Sequence, residues 1–288
     1  MRNYAARAAV DRLWPDRPAR ITDLGGGITG RNYKVELDDG VFVLRTGVSG
    51  AVDEAAGRRA FELGVGPEVM AFMPSRGWVV ERFIDGRPIS PEQMRETGTL
   101  RRVVAAVRKF HEAAPIPGRL DPHAVVEDFH ARAIERGVAI PHEYKAAHAS
   151  SERIRQARGE QPLVPCHNNL LNANILDDGE IRLVDWENAS MGDRFFDLAN
   201  FSVNHDLSPD DDRRLLEAYF GEAGDKEFAS LRLMRFMADF REAMWGVLQS
   251  GISELDFAFG EYAAEHFARL EAAASATEFE SYLAAVTR

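Results

Sequence analysis

The sequence has few of the features that mark secreted, membrane-spanning or nucleic-acid-binding proteins. Its 288 residues include one cysteine, Cys166, so no internal disulfide can form. No apolar run approaches the ~20 residues of a membrane-spanning helix, and the first residues lack the apolar core of a signal peptide. Acidic residues outnumber basic ones by 46 to 35, and the net charge of −11 disfavours binding along a nucleic acid backbone. We therefore expect a cytoplasmic protein that binds a small molecule, not nucleic acid or a membrane.

The first ninety residues predict strands and turns around a single helix. Strands are expected at residues 21–24, 33–37, 41–45, 69–72 and 78–83. The pair Asp39-Gly40 between two of these runs is a strong signal for a β-hairpin. Residues 51–63 have helical composition and stop at Gly64. The cluster of helix and strand breakers at residues 84–88 predicts a linker, with one lobe at residues 1–86 and a second at 87–288.

The rest of the chain is predicted to be mainly helical. Apolar residues recur at three- and four-residue spacing in segments 91–112, 124–136, 141–158, 210–220, 226–249 and 254–273. Residues 163–187 are the exception, because they are strand-like and centred on the turn Asp178-Gly179. The sequence thus predicts an α+β protein with a small β-rich N-lobe and a larger helical C-lobe.

One segment in that strand-like region carries a recognisable catalytic pattern. Residues 166–176 and 183–187 resemble the kinase sequence His-x-Asp-x-x-x-x-Asn followed by a metal-binding Asp on a short hairpin. The hairpin can bring Asn174 and Asp185 to one place, where an amide oxygen and a carboxylate suit Mg²⁺. His167 is expected to brace the loop by hydrogen bonding and not to act as a base. Together with the two predicted lobes, this pattern indicates a two-lobed protein-kinase-like fold.

The catalytic position of this pattern is occupied by an unexpected residue. Where the pattern has an Asp that accepts the proton of the substrate hydroxyl, the chain has Asn169. An amide cannot accept that proton at neutral pH. Three interpretations stay open: an impaired or non-catalytic relative, an engineered trapping variant, or an active enzyme with a displaced base. Three carboxylates near the loop could replace the base, namely Asp177, Glu187 and Asp193.

Two features of the N-lobe are candidates for holding a nucleotide. The glycine-rich run at residues 25–30, with Gly26, Gly27 and Thr29, can bring backbone N–H groups close to phosphates. The same run suits a plain hairpin turn equally well, and it is not a Walker motif, because no Gly-Lys-Ser/Thr follows. Arg45 ends a predicted strand, where kinase-like folds place a cation that holds phosphates and pairs with a helix Glu. Glu54 is the expected partner of Arg45.

A wider set of motifs resembles one family of small-molecule kinases. The residues that carry this resemblance are 43–45, 81–86, 166–168, 172–174, 184–187, 192–200, 245–249, 253–257 and Tyr262. Through these motifs the chain is similar, over nearly its whole length, to bacterial choline/ethanolamine kinases, within the aminoglycoside phosphotransferase-like group. The resemblance implies ATP and Mg²⁺ as cofactors, phosphorylation of an amino alcohol, a nucleotide-binding role for Glu81 and an architectural role for Asp197.

The resemblance also implies an acceptor site for a cationic substrate. Its residues would be Trp186, Glu187, Asn188, Glu242, Trp245, Phe257 and Tyr262. Aromatic faces and carboxylates are how proteins hold a quaternary ammonium. On spacing alone, however, the last three aromatic residues suit helix core packing equally well.

The chain departs from the family pattern at two acceptor positions. Asn188 stands where the family usually has Tyr, and Glu242 stands where some relatives have a second Trp. A carboxylate at residue 242 is expected to favour binding of a primary ammonium, which can donate hydrogen bonds, over binding of a trimethylated one. We therefore predict a kinase of choline or a related small amino alcohol, impaired by Asn169. The alternatives are a pseudokinase that binds nucleotide or amino alcohol, and a kinase for another alcohol such as an aminoglycoside or thiamine.

Overall fold

A five-stranded antiparallel sheet forms the N-lobe in a computed structural model that describes residues 2–25, 31–47 and 51–287. Its elements are α1 (Arg2–Leu13), β1 (Arg20–Asp23), β2 (Arg31–Leu37), β3 (Gly40–Thr46), α2 (Ala51–Glu62), β4 (Val69–Met73) and β5 (Trp78–Arg82). The strand order is β1-β2-β3-β5-β4. Strands β2 and β3 are joined by a two-residue turn, so the hairpin predicted from Asp39-Gly40 is confirmed.

The two faces of this sheet differ in polarity, because successive side chains of a strand point to opposite faces. Residues on one face pack with α1 in a small apolar core that contains Ala6, Ala9, Val10, Tyr33, Val35, Phe42, Leu44 and Val80. In the register of β2, β3 and β5, Lys34 pairs with Val43, which also pairs with Glu81. Arg45 follows Val43 by two residues, so the opposite face of the sheet carries Lys34, Arg45 and Glu81.

Helices dominate the C-lobe. They are α3 (Pro91–Met94), α4 (Thr97–His111), α5 (Pro122–Glu135), α6 (Tyr144–Arg158), α7 (Arg194–Asn204), α8 (Pro209–Phe220), α9 (Asp225–Ile252), α10 (Phe259–Ser275) and α11 (Thr277–Thr287). Its short strands are β6 (Arg87–Pro88), β7 (Leu163–Cys166), β8 (Ile175–Asp177), β9 (Ile181–Leu183) and β10 (Ser190–Asp193). Strand β8 pairs with β9 and β6, and β7 pairs with β10.

The core of the C-lobe is built around α9. This helix has 28 residues, and apolar residues on most of its circumference are buried, from Phe228 to Leu248. A helix that is apolar nearly all round must be covered on several sides. Helices α5, α7, α10 and α11 supply that cover. The central position of α9 lets it present side chains to the catalytic loop on one side and to α10 on the other.

The two lobes are joined directly behind the cleft. The N–H of Leu183 in β9 donates to the carbonyl of Val65, which follows α2, at 2.7 Å. Beside it, a Cβ on Gly66 would lie 2.7 Å from Cβ of Ala60 and 3.0 Å from Nε1 of Trp186. Contacts this short exclude a side chain at residue 66. The loop after α2 is therefore seated on the catalytic hairpin.

The α+β, two-lobed prediction is confirmed, but several helices were missed. Helices α1, α7 and α11 were not predicted, and α10 begins at Phe259 instead of residue 254. The segment 91–112 forms two helices, because Arg95 caps the first and Thr97 begins the second. Among the described residues, none of the helices combines the length and the apolar character needed to cross a bilayer. The lobe boundary between residues 86 and 87 stays a prediction.

Stability is expected to fall in mild acid because two buried histidines resist protonation. Burial, and for His123 also the charge of Arg155, lowers the pKa of His123 and of His205 to about 4. The unfolded chain takes up these protons near pH 6.5, whereas the folded chain does so only near pH 4. The free energy of unfolding should therefore decrease as pH falls from about 6.5 to about 4, by about 3 kcal/mol per histidine.

Urea unfolding between pH 7 and pH 4 measures this decrease. The double variant His123→Asn/His205→Asn should show a flatter pH dependence than the wild type over the same interval. An equally steep curve in the double variant would assign the effect to other groups.

Candidate active site

The loop between β7 and β8 is held in place by side chains of α7. Asp197 accepts hydrogen bonds from the backbone N–H of His167 at 2.8 Å and of Asn168 at 2.7 Å. Asn200, one helical turn later, accepts from the backbone N–H of Leu170 at 2.7 Å. Three backbone N–H groups of the loop are thus bound by two side chains on one face of a helix. This agrees with the architectural role that the family resemblance implied for Asp197.

Asp197 is itself oriented by a buried relay of side chains. His111 of α4 donates from Nε2 to Oδ2 of Asp197 at 2.9 Å. The other ring nitrogen, Nδ1, lies 2.8 Å from the hydroxyl of Tyr219, so in the neutral ring it accepts from that hydroxyl. Burial alone would raise the pKa of Asp197, but the hydrogen bonds from His111 and the loop backbone hold that pKa below its usual value. The carboxylate is therefore kept ionised inside the core.

The peptide that precedes Asn169 is fixed from three directions. Asn168 has φ 62°, in the left-handed region, and it is fully buried. Its Nδ2 donates to the carbonyl of Asn188 at 3.0 Å and to Oγ of Ser190 at 3.1 Å. Its own carbonyl accepts from Nη1 of Arg241. No role was predicted for Asn168 or Arg241, and neither lies in a spacing pattern that would have revealed one.

Asn174 and Asp185 lie at the same end of the β8–β9 hairpin. The N–H of Val184 donates to the carbonyl of Asn174 at 3.0 Å, so Asp185 follows directly on the paired strands. Nδ2 of Asn174 donates to the carbonyl of Asn169 at 3.0 Å, which leaves the amide oxygen Oδ1 as the acceptor of this side chain. Asp185 adopts φ 69° and ψ 63°, an unusual backbone conformation for a residue other than glycine.

His167 makes the contact that was expected of a bracing residue. Its Nε2 donates to the carbonyl of Val184 at 3.0 Å, so it ties the catalytic loop to the residue before Asp185. Burial is the main reason that the pKa of His167 is lowered, although nearby Asp197 and Asp185 oppose the shift. A neutral imidazole with one N–H suits a structural hydrogen bond. Its effect on activity stays a prediction.

Arg45 connects the N-lobe to this hairpin. Its guanidinium forms an ion pair with Asp185 and lies 3.5 Å from Oε2 of Glu187. The arginine is 5% exposed, whereas the side chain of Asp185 is 25% exposed, so the pair is open to solvent on its carboxylate side. Glu54 of α2 accepts from Arg58 at 2.9 Å, and the predicted pair of Glu54 with Arg45 stays a prediction.

The other residues proposed to hold a nucleotide lie around the same face of the sheet. Glu81 is buried on β5 and faces α2, where its Oε1 would lie 3.9 Å from a Cβ on Gly57. The predicted phosphate-covering residues Gly26, Gly27 and Thr29 lie outside the described residues. Beside Glu81, a crevice is lined by Lys34, Val41, Arg82, Phe83 and Asp85. Alternate residues of a strand lie on the same face of a sheet, so Val41 is expected on the face of Arg45. The sequence could therefore have indicated that Val41 lines this crevice.

The aromatic residues predicted for the acceptor site come together where α9 meets α10. The ring of Tyr262 contacts Trp245 at 5.7 Å and Phe257 at 5.8 Å between centroids, both nearly edge-on. The helices approach closely at Gly246, where a Cβ would lie 3.1 Å from Tyr262. Phe257 is 47% exposed, so the cluster opens to solvent at one side.

The two polar residues Glu242 and Asn188, both predicted for the acceptor site, lie in different surroundings. Glu242 precedes Trp245 by one helical turn and accepts a hydrogen bond from the Tyr262 hydroxyl at 2.8 Å. Asn188 is exposed in the short turn after Asp185, with its carbonyl bound by Asn168. Glu187, in the same turn as Asn188, lies 3.5 Å from Arg45. Their roles in binding stay predictions.

The expectation that Trp186 contacts the substrate is wrong for this conformation. Trp186 is 0% exposed and packs between Phe110 and His167, with ring centroids 4.4 and 4.6 Å away. Its Nε1 donates to the carbonyl of Leu183 at 3.1 Å. Because Asp185 is left-handed and residues 186–188 form a 3₁₀ turn, successive side chains point in different directions. Trp186 therefore supports the hairpin from within the core.

The three carboxylates considered as substitute bases are in different surroundings. Asp177 forms a two-pronged ion pair with Arg102, at 2.6 and 2.9 Å, on the outside of the hairpin. Asp193 caps α7 through the N–H of Phe195 at 2.9 Å and pairs with the buried Arg158. Glu187 alone of the three lies beside Arg45 and Asp185.

Comparison with known proteins agrees with this geometry. Residues 20–237 match the model of the phosphotransferase enzyme family. A probable choline kinase 1 of Arabidopsis thaliana is 26% identical over 71% of this chain and 68% of its own length. The crystal structure of a choline/ethanolamine kinase family protein from Mesorhizobium loti is 30% identical, with a TM-score of 0.86 over 100% of this chain and 99% of that chain.

A more distant structure shares the fold alone. The choline kinase LicA from Streptococcus pneumoniae, also solved in complex with AMP, is 17% identical with a TM-score of 0.76. The match covers 94% of this chain and 98% of that chain. The two-lobed kinase-like architecture is thus confirmed. The chain belongs to the phosphotransferase enzyme family, among the choline/ethanolamine kinase family proteins.

Proposed function

We propose that this chain is an ATP- and Mg²⁺-dependent phosphotransferase that acts on the hydroxyl of choline or a related small amino alcohol. The observation that carries the proposal is the ion pair of Arg45 with Asp185 across the lobes, at the end of the hairpin that also carries Asn174. Phosphoryl transfer depends mainly on positioning and charge neutralisation, and this arrangement offers both. The family membership supports the same reaction class.

The donor set fits magnesium. Asn174 offers an amide oxygen, since its nitrogen is engaged, and Asp185 offers a carboxylate. Glu187 adds a second carboxylate in the same turn. All three are hard oxygen ligands of the kind that Mg²⁺ prefers. A magnesium ion held by these residues would supply the neutralisation of phosphate charge that this reaction requires.

Other residues of the chain would bind the nucleotide and position the acceptor. Arg45 presents a planar fork of donors suited to phosphate oxygens. The crevice at Phe83 and Asp85 lies at the end of the sheet face that carries Arg45, and it suits the base of the nucleotide. The cluster of Trp245, Phe257 and Tyr262 would receive the cationic end of the acceptor. The loop that Asp197 and Arg241 fix would orient the acceptor hydroxyl through Asn169.

An ADP-release assay with choline, ethanolamine and an aminoglycoside tests this function. Slow release stimulated by one of the two amino alcohols, and abolished by EDTA, is expected. Calorimetric binding of Mg²⁺ with a non-hydrolysable ATP analogue tests the ligands independently of turnover. Asp185→Asn should weaken that binding at least about tenfold, by analogy with other losses at metal sites.

The matched control for this variant is Asp128→Asn, on the exposed side of α5. It should bind the nucleotide analogue like the wild type. Binding of nucleotide without any acceptor-dependent release would favour the pseudokinase. Stimulation by the aminoglycoside alone would assign a different acceptor, and absence of nucleotide binding would contradict the proposal.

A further inference from the structure

The carboxylate of Glu242 is almost fully engaged by its neighbours. Oε1 accepts from Nε of Arg241 at 3.1 Å and from Nη2 at 2.6 Å. Oε2 accepts from the hydroxyl of Tyr262 at 2.8 Å. A carboxylate offers about four acceptor directions, so these bonds use three of them. Burial alone would raise the pKa of Glu242, but Arg241 and Tyr262 lower it, so the group stays ionised.

This engagement changes what Glu242 can offer an acceptor. The charge of Glu242 is balanced by Arg241, which is 7% exposed and tied to the catalytic loop through the carbonyl of Asn168. Arg241 also lies over the ring of Phe196, 5.2 Å from its centroid. Because these contacts anchor Arg241, it cannot move away to release Oε1. The expectation that Glu242 provides a counter-charge for a primary ammonium is therefore not met by its surroundings.

The hydroxyl of Tyr262 is the donor to Glu242 that a substitution can remove without disturbing the packing of its ring. The ring of Tyr262 is held by Trp245, Phe257 and His266, with the His266 ring 4.5 Å away. Loss of the hydroxyl would keep this packing and would expose Oε2 of Glu242 at the edge of the aromatic cluster. A primary ammonium has N–H donors for that oxygen, whereas a trimethylated ammonium has none and depends on aromatic faces.

We propose that the hydroxyl of Tyr262 is a specificity determinant that caps Glu242 and so makes the acceptor site select methylated ammonium groups over a primary one. This inference rests on the proposed function, because it needs an amino alcohol at the aromatic cluster. It assigns the quaternary or highly methylated amino alcohols as the preferred acceptor class. It also gives Glu242 an indirect role: the carboxylate positions Arg241 and Tyr262.

The test is a calorimetric titration of the wild type and of Tyr262→Phe, in the presence of Mg²⁺ and a non-hydrolysable ATP analogue. The probes are ethanolamine, its N-methyl and N,N-dimethyl derivatives, and choline. In the variant, the ratio of dissociation constants for ethanolamine and choline should shift about tenfold in favour of ethanolamine. The gain in affinity that the variant shows for an amine should decrease with each added methyl group and should be absent for choline.

Two further variants separate this effect from a general loss of structure. Tyr282→Phe removes a tyrosine hydroxyl from α11, where the ring packs edge-on against Phe228, and should leave the ratio unchanged. Adding Glu242→Gln to Tyr262→Phe should abolish the gain for ethanolamine, because the charged acceptor is then gone.

The outcomes distinguish this inference from the proposed function. Binding of both amines with an unshifted ratio in Tyr262→Phe overturns the inference and leaves the proposed function intact. An equal loss of affinity for all four amines also overturns it, since Tyr262 would then only shape the pocket. If neither the wild type nor the variant binds any amine while both bind the nucleotide, the proposed acceptor class is wrong and the inference falls with it.

Discussion

Replacing Asn169 with aspartate is expected to raise the turnover number about 10²–10⁴-fold, the range that a general base typically contributes. The variant places a proton acceptor where the kinase pattern has one. The backbone there is already fixed, since the carbonyl of Asn169 accepts from Asn174 at 3.0 Å and the preceding peptide is held by Arg241. Aspartate has nearly the same shape as asparagine, so the loop needs no rearrangement.

The ADP-release assay with saturating choline or ethanolamine measures this gain. Gln156→Glu, at an exposed position of α6, is the matched control because it makes the same amide-to-carboxylate change outside the site. Its turnover should stay within about twofold of the wild type. If Asn169→Asp gave no gain with any acceptor while nucleotide still bound, the missing carboxylate would not be what limits this protein. The pseudokinase interpretation would then be preferred.

Replacing Asp197 with alanine should lower the free energy of unfolding by about 3–5 kcal/mol, as when one partner of a buried charged network is removed. The change leaves the N–H groups of His167 and Asn168 without their acceptor in the core. It also leaves His111 and Tyr219 without the carboxylate that orients them. The catalytic loop should lose its fixed geometry together with this stability.

Urea unfolding at neutral pH measures the loss. Asp128→Ala on the surface of α5 removes a carboxylate from an exposed ion pair with Arg132, at 3.2 Å, and should change stability by at most about 0.5 kcal/mol. Asp197→Asn should be intermediate, because one amide oxygen can still accept. A loss below about 1 kcal/mol for the alanine variant would mean that α7 does not hold the loop.

The parts of the fold with local signals were predictable from the sequence. The hairpin at Asp39-Gly40, the helix that stops before Gly64 and the turn at Asp178-Gly179 each depend on a few adjacent residues. The placement of Asn174 and Asp185 at one end of a hairpin followed from that second turn. These features could be found because turn chemistry acts within a few residues and leaves a mark on composition.

The parts that depend on distant contacts could not be predicted in this way. Helix α7 was missed although six of its eleven residues are apolar, since its site-facing side carries Asp197 and Asn200, which hold the loop and break the apolar pattern. The role of Arg241 depends on a partner 73 residues away. Trp186 was misplaced because its neighbours in sequence face the cleft, whereas the left-handed Asp185 turns the next side chain into the core.

The bond between Val65 and Leu183 is one of several contacts that join the two halves at the catalytic turn. The ion pair of Arg45 with Asp185 is another, and the loop after α2 packs against Trp186, the residue next to Asp185. We therefore expect any change in the angle between the halves to act on Asp185 through these contacts. The grip on the nucleotide and that angle would then change together.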